Sequence, residues 1–143
     1  MKIDQIDKRI LNELNQNSRM SMRELGKRIN MSSPAVNERV KQMESFGVIK
    51  GYTLNIDHEK AGYPVSCIVE ATIKNGEYNL FKRHIKQMSN VEFCYRIAGN
   101  ACFILKLHFE KLSKVEEFID SISPIAETVT HVVFSSVETD STI

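Results

Sequence analysis

SMRELGKRINMSSPAVNERVKQM, residues 21–43, compresses two helical segments and the turn between them into 23 positions. Ser21-Met22-Arg23-Glu24 has the form of a capping box, serine and glutamate reciprocally satisfying free amides, so a helix is expected over about 22–29. Asn30 can take the left-handed conformation that ends it. Ser32 or Ser33 can cap the next helix, with Pro34 in its first turn. That helix places Val36, Val40 and Met43 on one face and stops near Ser45-Phe46-Gly47, where glycine suits a left-handed terminus. Two helices joined so tightly form a helix-turn-helix. Gly26 falls where closely crossing helices would tolerate no side chain, which explains a glycine that costs about 1 kcal/mol in a helix interior.

Upstream, Ile3, Ile6, Ile10 and Leu14 recur at three- and four-residue spacing, with Asp4 and Asp7 near the start of a first helix. Downstream, Val48–Ile56 reads as an extended strand, and the polar stretch Asp57–Gly62 as a connector. The expected domains are therefore 1–62, a three-helix DNA-binding type with a short strand and connector, and 63–143.

From Tyr63 the period becomes two. Val65, Cys67, Val69, Ala71 and Ile73 alternate up to Asn75-Gly76. A helix follows around Leu80, Phe81, Ile85 and Met88, then a strand over 91–97, a turn at Ala98-Gly99-Asn100-Ala101 and a strand over 102–109. Ser113 to Glu116 reads as a second capping box opening a helix with Val115, Phe118, Ile119 and Ile122, and a last strand is expected over about 129–137. The order βαββαβ is ferredoxin-like, so the fold class is α+β. Both sheet faces carry apolar residues: Phe103, Leu105 and Leu107 against Ile104, and Val129, Val133 and Val137 against Val132 and Phe134. An apolar face without helices marks an interface, and a homodimer through this domain is expected.

The net charge of +1 conceals an uneven distribution. Residues 1–50 carry ten Lys/Arg against six Asp/Glu, and residues 51–143 nine against twelve. The basic part is the one with the helix-turn-helix, which suits a polyanionic partner. No apolar run reaches the ~20 residues of a membrane span, and the first ten residues do not resemble a signal peptide, so a cytoplasmic protein is expected. Cys67, Cys94 and Cys102 lack paired spacing and read as reduced thiols. No cofactor is expected. Neither a nucleophile with its base, nor a phosphate loop, nor metal-ligand spacing is present, and His58, His84, His108 and His131 stand isolated in sequence; an enzyme is not expected.

Opposite Val36, Val40 and Met43, the second helix of the motif presents Pro34, Glu38 and Lys41, flanked by Ala35, Asn37 and Gln42. Asparagine can bond an adenine edge in two places, glutamate can accept from cytosine, and lysine can meet guanine or phosphate. Ser32 and Ser33 lie where free amides and the helix dipole favour a phosphate oxygen. Arg23, Lys27 and Arg28 on the preceding helix can meet the backbone, while Arg39, beside the apolar stripe, suits an internal ion pair as well as a phosphate.

Across essentially its whole length the chain resembles the Lrp/AsnC family, the leucine-responsive or feast/famine transcription regulators. The resemblance is carried by IDQIDKRILNEL, by residues 18–57 from SRMSMRELGKRI to GYTLNID, and by RIAGNACFILKL at the hairpin. It implies a winged helix-turn-helix that binds double-stranded DNA as a dimer, with a C-terminal domain that drives assembly to tetramers or octamers. It also implies an amino-acid effector between dimers, near Gly99, Asn100, Ala101 and Cys102. Family members often carry Gly-x-x-Asp there, whereas this chain has Cys102 in the carboxylate's place. A neutral thiol cannot pair with an ammonium group unless its pKa is depressed. A nucleoid-associated protein that bends or wraps DNA with little sequence preference, and a small-molecule sensor without DNA binding, are the alternative functions.

Overall fold

The computed structural model describes residues 1–139 and divides into two compact units, Met1–Asn55 and Ile56–Val137. The connector 57–62, expected to close the first domain, thus groups with the second, and the last four positions of the expected 63–143 domain lie outside the described residues.

The first unit contains α1 (Gln5–Gln16), α2 (Met22–Ile29) and α3 (Ser33–Ser45) around Ile10, Leu14, Met20, Leu25, Ile29, Val36, Val40 and Met43. The turn has the expected chemistry. Asn30 is left-handed (φ 60°), and Ser32 is the cap of α3, its Oγ accepting from the Ala35 amide at 3.4 Å. A Cβ on Gly26 would lie 2.6 Å from the Met31 carbonyl oxygen, so glycine is demanded by the turn backbone rather than by a crossing helix.

The capping at the helix starts differs from expectation. Ser21 Oγ accepts from the Glu24 amide, but the Glu24 carboxylate binds Arg28 at 3.1 Å, so only half of that box forms. The complete box lies at α1, where Asp4 accepts from the Asp7 amide at 2.8 Å and Asp7 from the Asp4 amide at 3.0 Å. The segment Val48–Ile56 makes no strand, because no other segment among the described residues pairs with it in a ladder. It leaves Tyr52, Leu54 and Ile56 exposed.

The second unit is a four-stranded antiparallel sheet in the order β2-β3-β1-β4, built from β1 (Val65–Ile73), β2 (Val91–Arg96), β3 (Phe103–Phe109) and β4 (Ala126–Val132). Helices α4 (Tyr78–Lys86) and α5 (Leu112–Ile122) join the core made by Cys67, Val69, Ala71, Phe81, Ile85, Phe103, Leu105, Leu107, Val115, Phe118 and Ile122. Leu80, expected in this core, is exposed. The capping box expected at Ser113 is absent, because α5 starts earlier: Lys111 is its cap residue and Ser113 already lies inside the first turn. The last strand ends at Val132, three residues beyond the start of the expected 129–137 segment. Phe134 and Val137 beyond it are exposed.

Candidate nucleic-acid interface and effector pocket

In α3 the burial of Val36, Val40 and Met43 fixes the rotation of the helix, and with it what faces water. Ser32, Pro34, Glu38, Lys41 and Gln42 are exposed, Ser33 and Asn37 half-buried. Glu38 accepts from the Gln42 side chain at 3.3 Å, one turn on. Arg23 and Lys27 are exposed on α2 and enter no ion pair among the described residues. The outer rim of the motif therefore offers an amide, a carboxylate and several cations without an ion pair, beside the serine-capped start of α3.

Two arginines are withdrawn from that rim. Arg39 Nη1 lies 2.7 Å from Asp7 Oδ1 and 2.8 Å from Asp4 Oδ2, so of its two sequence readings the internal ion pair is the one formed. The Asp7 side chain is only 2% exposed, and the pair anchors α3 to the start of α1. The Asp7 amide, and after it Arg39, hold the Asp4 carboxyl below the ordinary aspartate range. Arg28 is tied to Glu13 at 3.0 Å and to Glu24. The signal that could have separated Arg39 from Arg23 was its position one residue before the buried Val40.

At the 98–101 turn the expected effector residues divide. Asn100 and Ala101 line a cavity of about 190 Å³ together with Glu70, Thr72, Glu127, Thr128 and Val129. Cys102 belongs elsewhere: it packs against the helix-covered core, its Sγ 3.6 Å from the Tyr78 hydroxyl, while Arg96 lies over the Tyr78 ring at 4.5 Å and donates to the Cys102 carbonyl. A bond from the Ile73 backbone, then Tyr78 and Arg96, hold the Cys102 thiol below the ordinary value, whereas burial raises Cys67 and Cys94. Gly99 supplies a backbone at φ 148° and lines no part of the cavity. Sequence reading missed Glu70 and Glu127, two carboxylates that register across β1 and β4 brings to one face. Glu70 is held by His131 at 2.8 Å.

A helix-turn-helix with a cationic outer rim, in a chain that also carries a ferredoxin-like domain with a small polar cavity, defines a DNA-binding transcriptional regulator with a ligand-binding domain. The comparisons agree: residues 3–50 match the winged helix-turn-helix DNA-binding profile and residues 66–143 that of the Lrp/AsnC ligand binding domain. The chain belongs to the Lrp/AsnC family. It is 59% identical over 139 residues to the HTH-type transcriptional regulator LrpC of Bacillus subtilis, covering 97% of this chain and 96% of that one. The solved structure of B. subtilis LrpC superposes with a TM-score of 0.94 over 97% of this chain and 99% of that one. The feast or famine regulatory protein of Mycobacterium tuberculosis in complex with L-methionine, 27% identical, superposes at 0.86 over 97% of both chains. The relatives are named as transcriptional regulators, and no helix among the described residues is long and apolar enough to cross a membrane.

Proposed function

We propose that this regulator reads DNA with Asn37 and Glu38 on base edges and Lys41 on guanine or phosphate, while Arg23, Ser32, Ser33 and Pro34 meet the backbone and Arg39 stays out of the interface. The observation that carries the reading is the exposure of this one side of α3 beside a rim of unpaired cations. The working unit is a homodimer able to assemble further, acting at the nucleoid in the cytoplasm. Ile68, Phe93, Tyr95, Ile104 and Val129 lie on the sheet face that the helices leave open, and Tyr95 and Val129 are more than half exposed. Paired heads would bind half-sites about 10 base pairs, or a multiple, apart. The chain acts by binding rather than by catalysis.

An amino acid is the effector class we assign to the cavity beside Asn100 and Ala101. With Cys102 outside the cavity, the carboxylate that could meet an ammonium group there is Glu127, which is exposed and has no ion-pair partner among the described residues, with Thr72 and Thr128 supplying hydroxyls. The methionine-bound relative supports this ligand class. Footprinting of bound genomic fragments with and without an amino-acid mixture tests both parts. The expected result is a salt-sensitive footprint with a ~10 base-pair period that an amino acid changes in the parent and not in Glu127→Gln. No duplex binding at low salt would overturn the DNA reading, a single 16.4 kDa species at micromolar concentration the dimer, and an unaltered amino-acid response in Glu127→Gln the effector assignment.

A further inference from the structure

On the open sheet face, at the β2 edge, three side chains far apart in sequence meet for no purpose that DNA or an amino acid supplies. His108 is 4% exposed, its Nδ1 2.8 Å from Ser66 Oγ on the paired residue of β1 and its Nε2 2.6 Å from Glu92 Oε2. Glu92 is the extra residue at the register shift between Val91 and Phe93, the kind of bulge that re-aims a side chain. His58, on the turn following Asp57, lays its ring parallel to His108 with centroids 3.4 Å apart. One ligand atom from each of His58, Glu92 and His108 lies within 4.8 Å of the others, and all three line a cavity of about 250 Å³ with Ile56, Ala61 and Tyr63.

We propose that His58, Glu92 and His108 bind one divalent transition-metal ion of the zinc class, with the fourth position open to the cavity. Two imidazoles and one carboxylate are a borderline donor set that suits such an ion and not calcium or magnesium. Ser66 provides the outer partner that metal-binding histidines ordinarily have: an ion at Nε2 would take the place of the proton in the His108–Glu92 hydrogen bond, and Nδ1–H would then donate to the Ser66 hydroxyl. Burial pushes Glu92 up, but Lys106 and His108 outweigh it and keep the carboxylate ionised. Lys106, 3.0 Å from Glu92 Oε2, competes for the same group and sets a limit on affinity.

Binding asks two movements of the site. An ion lies in the plane of each imidazole it binds, so two stacked parallel rings cannot share one, and tetrahedral ligand atoms stand about 3.4 Å apart at zinc–nitrogen lengths. His58 therefore turns out of the stack towards the other two, and the Glu92 carboxylate draws back from His108 Nε2, which at 2.6 Å is too near for both to hold one ion. Both are free to do so, His58 being half-buried on a turn and Glu92 exposed at the bulge, whereas His108 is buried in its strand. The bound ion fastens this turn to the β2–β3 edge.

The test uses the untagged full-length chain, titrated with Co²⁺ for its visible absorption and with Zn²⁺ against a chromophoric chelator. One ion per chain is expected, with affinity reduced at least tenfold in His58→Ala and in Glu92→Gln, reduced in Ser66→Ala, and unchanged in His84→Ala. Zn²⁺ should raise the Tm of the parent and not of His58→Ala, which separates loss of the site from loss of the fold. Absence of a Co²⁺ spectrum at equimolar metal, or binding that survives both ligand substitutions, would overturn the proposal.

Discussion

In the first unit, residues that act together are close in sequence: Ser32 through Lys41 form one side of one helix, and the turn before it spans three residues. In the second unit they are 16 to 57 residues apart. Glu70 meets Glu127 across β1 and β4, Cys102 meets Tyr78 across a hairpin and a helix, and His108 meets His58 and Glu92 across a connector and a bulge. A helix assembles a site by its own period, so its composition can be read from a list of residues. A sheet assembles a site by register, and register depends on which strands pair.

The Asp4–Asp7–Arg39 cluster is where the first unit departs from this locality, and disrupting it should give the largest effect. Asp7→Ala leaves the Arg39 guanidinium with one exposed partner and removes half of the α1 capping box. We expect a loss of about 2 to 3 kcal/mol in urea unfolding, below the range of about 3 to 5 kcal/mol for broken buried pairs because Arg39 is partly solvated. Base preference at temperatures where the chain stays folded should not change, since Arg39 lies outside the proposed readers.

Gly26→Ala tests the turn itself. Alanine normally gains about 1 kcal/mol over glycine in a helix, but its Cβ would press on the Met31 carbonyl, and the expected outcome is a net loss of about 1 to 2 kcal/mol with a lower Tm. A more stable protein would mean that the turn yields.

Asn37→Ala and Arg23→Ala sharpen the division of the rim into readers and anchors. The first should cost about 1 to 3 kcal/mol on the preferred site and little on random duplex. The second should weaken all sequences alike and reduce the salt slope by about one phosphate. Equal losses on both kinds of DNA for Asn37→Ala would remove it from base reading.

The smallest effect is in acid. Asp4 is depressed in the folded chain by the Asp7 amide and Arg39, so the stability it lends is present above its unfolded value of about 3.9 and is lost as pH falls through the lower folded value. Asp4→Asn, which keeps a capping side chain, should be less stable than the parent at neutral pH, and the two should converge below about pH 4. A gap that persists at pH 2 would assign the contribution to hydrogen bonding rather than charge.

Most of the helix boundaries and the βαββαβ order were legible because hydrophobic period, Asn30, Ser32, Gly47 and Asn75-Gly76 are local signals. The misplaced features depended on competition that local signals do not record. Glu24 prefers Arg28 to its own cap, Ser113 lies inside a helix already begun, and residues 48–56 have extended character without a strand to pair with.

The sequence by itself determined the helix-turn-helix, the basic surplus that suits a polyanionic partner and the face α3 turns outward, since burial of Val36, Val40 and Met43 leaves no other rotation. Only the tertiary structure decided that Arg39 serves the bundle, that Glu127 rather than Cys102 lines the small cavity, and that His58, Glu92 and His108 share a site. The reason is the same in each case: a charged or ligating side chain has many chemically suitable partners in a sequence, and chain pairing at a given register selects which of them comes within bonding distance.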